Sequence, residues 1–214
     1  MEVTRIIAIR HGETTWNAEK RIQGQLDTPL SARGRWQAEQ AGKALADERF
    51  DAIYASDLER AFHTAQAIAQ HHRLEVQGEA GLRERHFGEF QGLTWGEIQQ
   101  RWPDASLSWQ QRDRWFNPGN GENLVDLRER ILNTLNAIAS AHPGEHIVLA
   151  AHGGVMDVLY RHANGVDIEA PRSWDLSNAA INRFLWTPES FTLVHWGDIS
   201  HLDDEQPILD ESST

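Results

Sequence analysis

The chain of 214 residues sets 20 Lys and Arg against 32 Asp and Glu, a formal charge of -12 with an isoelectric point of about 5.3. So acidic a surface repels nucleic acid and anionic membranes, and neither is expected as a partner. The chain lacks cysteine, which excludes disulfides, zinc–thiolate sites and thiol nucleophiles, and its 40% hydrophobic content can fill one core. The apolar run Ile6 to Ile9 has no basic stretch before it and is too short for a signal-peptide core or a membrane span. We therefore expect one cytoplasmic domain over residues 1–214.

In chain order, Thr4 to Arg10 is apolar and β-branched, as in a buried strand. Ser31 can cap a helix running to about Asp47, with Ala38, Ala41, Leu45 and Ala46 at helical spacing. Ala52 to Ala55 is a second strand. Ser56 and Glu59 form the pattern of a capping box, opening a helix to about His72. Leu74 to Gln77 gives a third strand. Residues 82–121, rich in Trp, Arg and Gln, read as a helical lid insertion, with a second capping box at Thr94 and Glu97 and a break at Pro103. Asn123 to about Ala141 is an amphipathic helix, His146 to Ala151 a strand, and a helix follows Gly154. Arg183 to Thr187 and Thr192 to Trp196 are closing strands, and the acidic residues 203–205 and 210–214 read as a solvated tail. Alternating strands and helices predict an α/β three-layer sandwich around a mostly parallel sheet, with ligands bound beyond the carboxyl ends of its strands.

Two of these strands end alike. The first runs into Arg10-His11-Gly12 and the later one into Ala151-His152-Gly153-Gly154. Glycine after each histidine lets backbone approach a ligand closely, and the second pair opens a helix whose N–H groups attract anions. Arg60, in the first turn of the helix after the second strand, should reach the same crevice. Two guanidinium forks and two imidazoles suit one phosphoryl group. A metal site is the other option for paired histidines, but Arg10 would repel a metal, and a divalent ion normally takes carboxylates as well. Glu84, between Arg83 and Arg85, reads on its own as a surface residue in a charged run.

The sequence Arg10-His11-Gly12-Glu13-Thr14, followed by Asn17, resembles the signature of the histidine phosphatase superfamily, the phosphoglycerate mutase-like family. Ser56-Asp57-Leu58-Glu59-Arg60-Ala61, Leu82-Arg83-Glu84 and Ala151-His152-Gly153-Gly154 resemble its other blocks, in the same order, so the likeness spans Arg5 to about Gly154. The resemblance implies a phosphomonoester phosphatase of the histidine acid type. His11 would be the nucleophile that carries the phosphoryl group, and Arg10, Arg60 and a protonated His152 would hold it, with Asn17 and Gly153 as further contacts. Glu84 would give a proton to the leaving oxygen. Gln23 either reaches the substrate or belongs to a structural turn. No metal or cofactor is implied; the substrate would be a small phosphorylated metabolite, and the sequence admits a homodimer.

Within the lid, Trp95, Trp102, Trp109 and Trp115 either hold it to the core or supply one or two rings to an apolar wall. Arg101, Arg112 and Arg114 either meet an acidic substrate or are solvated. Thr94-Trp95-Gly96-Glu97-Ile98 and Asn120-Gly121-Glu122-Asn123 resemble the broad-specificity phosphatases, and a paired-Arg block like that of the glycolytic mutases is not found. A phosphatase is therefore preferred, with a mutase using the same phosphohistidine as the runner-up. A phosphate-binding regulatory module without turnover is the alternative of another class; the presence of both His11 and Glu84 argues against it.

Overall fold

The computed structural model describes residues 2–203, so most of the acidic tail read from the sequence lies outside the described residues. The strands are β1 (Thr4–Arg10), β2 (Ala52–Ala55), β3 (Val76–Gly78), β4 (His146–Ala151), β5 (Ile181–Thr187) and β6 (Ser190–Asp198). Among the described residues they form one six-stranded sheet in the order β3-β2-β4-β1-β5-β6. β1, β2, β3 and β4 pair in parallel, and β5 and β6 add an antiparallel edge. The helices are α1 (Thr15–Ala18), α2 (Ala32–Ala44), α3 (Glu59–Ala69), α4 (Trp95–Arg101), α5 (Pro103–Gln110), α6 (Leu124–Ser140) and α7 (Gly153–Asn164).

The period of two in β1 divides the core. Ile6 and Ala8 face one side of the sheet, with α6 and α7 supplying Ile131, Leu135, Val155 and Leu159. Ile7 and Ile9 face the other, against Leu45, Ala65 and Ile68 below α2 and α3. A strand covered on both faces must be apolar throughout, which is why Ile6 to Ile9 reads as a continuous run. The three-layer α/β architecture expected from the sequence is the one observed.

Three local expectations shift. The helix from Ser31 stops at Ala44 and the third strand starts at Val76, each within the usual uncertainty of element ends. The capping box at Ser56 and Glu59 does not form. Leu58 is the N-cap of α3 and makes no side-chain cap, the Ser56 hydroxyl accepts from the Leu58 N–H at 3.3 Å, and the Glu59 N–H donates to Asp27 Oδ1 at 2.8 Å. A carboxylate from another loop therefore caps this helix, a long-range solution that local spacing does not reveal. At Thr94 and Glu97 the box does form, and Pro103 starts α5 at its first turn.

Candidate active site

Register places the two histidines side by side. β1 and β4 run parallel with Arg10 opposite Ala151, and the His11 N–H continues the ladder to the Ala151 carbonyl at 2.9 Å. The next residues, His11 and His152, therefore leave adjacent strand ends together. Their rings lie 5.2 Å apart between centroids, tilted by 59°, and both are buried.

The His11 ring has a defined tautomer. Nδ1 lies 2.7 Å from the Gly12 carbonyl oxygen, which can only accept, so Nδ1 carries the proton and the Nε2 lone pair is free. Burial, then the charges of Arg10 and Arg60, push its pKa well below 6.5. His152 is shifted the same way by burial, Arg60, His11 and Arg10. Burial among guanidiniums thus favours the neutral ring in the folded chain, whereas the expectation of a protonated His152 concerns the site with a phosphoryl group bound.

Arg60 is fully buried on the first turn of α3, and its terminal nitrogens donate to the carbonyls of Gly24 at 2.7 Å and Leu26 at 2.9 Å. Burial lowers its pKa to about 10, against the opposing pull of Glu84 and Asp27, so it remains a cation at neutral pH. Arg10 donates through Nη1 to the Leu176 carbonyl. Arg10 Nε, Arg60 Nε and both ring nitrogens of His152 are buried without a protein partner.

Glu84 arrives on an irregular segment. Its carboxylate accepts from the Gly154 N–H at 3.0 and 3.1 Å, at the N-terminus of α7, and from the Arg85 N–H at 2.7 Å. A Cβ on residue 154 would collide with Glu84 Oε1, and one on Gly153 would sit 3.6 Å from Arg10 Nε and 3.7 Å from Glu84 Oε2. Glycine at 154 is thus what lets this helix end reach Glu84, whereas the distances at 153 are ordinary contacts.

The remaining expected residues divide. Asn17 uses its side-chain oxygen locally, accepting from the Thr14 N–H at 3.0 Å in the capping box of α1. Gln23 is buried and its Oε1 accepts from the Thr28 hydroxyl at 2.5 Å, which favours the structural turn. Beside Arg10 and Glu84 opens a cavity of about 390 Å³, whose walls include Phe87, Trp109, Arg112 and Arg172. Of the four tryptophans only Trp109 lines it, packed on Phe87 and Phe90 and edge-on to Trp95; Trp102 packs on Phe90, and Trp115 is 65% exposed. Arg112 also lines it, donating to Asp157 Oδ2 at 3.0 Å, whereas Arg114 pairs with Glu169 and Asp167 and Arg101 is exposed.

Two supports were not singled out from the sequence. The Thr64 hydroxyl accepts from the Gly12 N–H at 3.1 Å and donates to the Arg60 carbonyl at 2.7 Å, tying α3 to the turn after β1. Asn178 donates from Nδ2 to the His11 carbonyl at 2.8 Å. Thr64, four residues after Arg60, lies on the same helix face and was within reach of a periodicity argument; nothing local marks Asn178. Among the described residues no group of three His, Asp or Glu is placed to hold a metal ion, and no helix is long and apolar enough to cross a membrane.

Residues 6–199 match the family model of the histidine phosphatase superfamily, branch 1. The chain belongs to this superfamily. It is 39% identical over 208 residues to phosphoglycerate mutase-like protein 4 of Arabidopsis thaliana, covering 95% of this chain and 89% of that protein. It is 38% identical over 204 residues to the metal-independent phosphoserine phosphatase of the same plant, covering 94% and 84%. Among solved structures, YhfR of Bacillus stearothermophilus superposes with a TM-score of 0.88 at 31% identity, over 94% of this chain and all of that one. Transfer of the phosphoryl group through a phosphohistidine is general to the histidine phosphatase superfamily.

Proposed function

We propose that the protein is a phosphatase of small phosphomonoesters of the histidine acid type, acting in the cytoplasm, with His11 as its nucleophile. The observation that carries this reading is the His11 ring: Nδ1 is held to the Gly12 carbonyl and Nε2 is a free lone pair amid buried arginines. In our reading Nε2 attacks phosphorus in line, and the equatorial oxygens keep their negative charge as the leaving oxygen departs. Arg10 Nε, Arg60 Nε and a His152 nitrogen, buried and unpartnered, supply the donors those oxygens need. The incoming dianion offsets the burial and the like-charge repulsion that depress the His152 pKa, so that ring can take up a proton on binding. Glu84, next to Arg10 across Gly153, gives its proton to the leaving oxygen and then deprotonates the water that attacks the phosphohistidine. Asn17 and Gly153 complete the substrate contacts of the proposal, and Gln23 serves the turn. Because the pocket supplies its own cations, activity should survive a chelator; loss on chelation with recovery on adding a divalent ion would contradict it.

The segment 82–121 then acts as a lid that walls the cavity. Arg112 and Arg172, with Trp109 and Phe87 beside them, suit an alcohol portion that carries its own carboxylate next to a compact apolar part. The relative named for phosphoserine points to the same class. A mutase is the second reading, favoured by the likeness to a phosphoglycerate mutase-like protein. The two differ in whether water reaches the phosphohistidine. Incubation with 3-phosphoglycerate, phosphoserine and 4-nitrophenyl phosphate, scored separately for phosphate and for 2-phosphoglycerate, tests this. Phosphate release is expected, and isomerisation of 3-phosphoglycerate without release would replace the phosphatase by the mutase.

A further inference from the structure

We propose that Arg130, outside the cavity, is the positioning residue for the Glu84 acid, with Glu122 as its anchor; the inference rests on the role given to Glu84 above. Arg130 projects from α6, and its guanidinium is engaged on every edge. Nη1 donates to the carbonyls of Gly81 at 2.8 Å and Arg83 at 3.0 Å. Nη2 donates to the carbonyl of Glu84 at 3.4 Å and to Glu122 Oε2 at 2.8 Å, and Nε donates to Glu122 Oε1 at 2.8 Å. A guanidinium has five N–H bonds, and these five acceptors use all of them.

The acceptors are not scattered. Three are main-chain carbonyls within the four residues that end at Glu84. Glu122 grips the far side, because its backbone N–H donates to the His86 carbonyl at 2.7 Å, its carbonyl accepts from Arg85 Nε at 2.7 Å, and its Oε2 accepts from the His86 N–H at 3.4 Å. The stretch before Glu84 is a short 3-10 turn, Ala80–Leu82, and no sheet ladder holds residues 83–87. A carboxyl group on such a segment needs another source of rigidity, since a general acid must stay within hydrogen-bond reach of the leaving oxygen. The planar five-donor fork supplies it. Lysine, with three donors on one nitrogen, cannot span the same carbonyls and carboxylate.

Misplacing an acid matters only where the leaving group needs its proton. Nitrophenolate leaves unprotonated, whereas the alkoxide of an alkyl ester does not. The test is kcat/KM of the full chain, which reports transfer to His11 and not the later attack of water, for 4-nitrophenyl phosphate and for phosphoserine, in wild type, Arg130→Lys, Glu122→Gln and Glu84→Gln, with the Tm of each. Arg130→Lys should lower kcat/KM for phosphoserine by about 10- to 100-fold, a displacement of roughly 1 Å in a catalytic group being worth that much. For the aryl ester kcat/KM should change little, whereas kcat falls on both esters because they share the attack of water, and Glu84→Gln should show the same selectivity in kcat/KM in stronger form. Glu122→Gln, which keeps the shape and removes the charge, should shift the ratio of the two esters in the same direction and carries the test if the lysine variant does not fold. Equal losses of kcat/KM on both esters, or none, with an active wild type would overturn the positioning role while leaving the phosphatase standing. A wild type that hydrolyses neither ester would overturn the phosphatase reading, and this inference with it.

Discussion

The site has two halves built by different means. His11, His152 and Arg60 come from the ends of β1 and β4 and the first turn of α3, all buried, and strand register fixes the two imidazoles. Glu84, Trp109 and Arg112 come from the stretch between β3 and α6, outside the sheet, where an arginine on backbone carbonyls takes the place of the ladder before Glu84. The first half is shaped for a group every phosphomonoester shares, and the second for the part in which substrates differ. Rigidity from a sheet suits the invariant task, and side-chain clamps leave room to vary the other.

Truncation in the first half should give the larger effect. Arg60→Ala should lower kcat/KM by about 100- to 1000-fold on aryl and alkyl esters alike, as expected for loss of a preorganised charged donor. A loss confined to one leaving group would move Arg60 into the second half and break the contrast. Next, Arg112→Ala should raise KM for phosphoserine about tenfold, as for a lost charge-assisted hydrogen bond, with 4-nitrophenyl phosphate little changed; Asp157 keeps Arg161 at 2.9 Å as partner. An equal rise for both esters would show that Arg112 serves the phosphate. The last effect is on stability rather than on turnover. His11 and His152 are held neutral well below 6.5 in the folded chain, whereas the unfolded chain takes up protons near 6.5. Stability is therefore full above that pH and falls as pH drops through it toward the depressed folded values. Chemical denaturation between pH 7 and pH 5 checks this, and a midpoint that does not fall would contradict the neutral pair.

The same contrast explains what could be read from the sequence. The apolar run before Arg10 and the glycines after His11 and His152 carry strand and site together, because burial on both faces and close backbone approach impose those residue types. Glu84 had no such mark: a carboxylate between two arginines has the composition of a solvated surface, and only the resemblance to a family singled it out. Arg130 and Asn178 act on main-chain atoms distant in sequence, which leaves no periodic or local trace.

The central claim is that the phosphoryl group passes through His11 Nε2. Rapid acid-free quenching of the enzyme with phosphorus-labelled 4-nitrophenyl phosphate, followed by peptide mapping, tests it directly. The label should appear, acid-labile and alkali-stable, on the peptide that contains His11, with a burst of nitrophenol before steady state. It should vanish with activity in His11→Ala. Turnover retained in that variant, or label on another residue, would contradict the account.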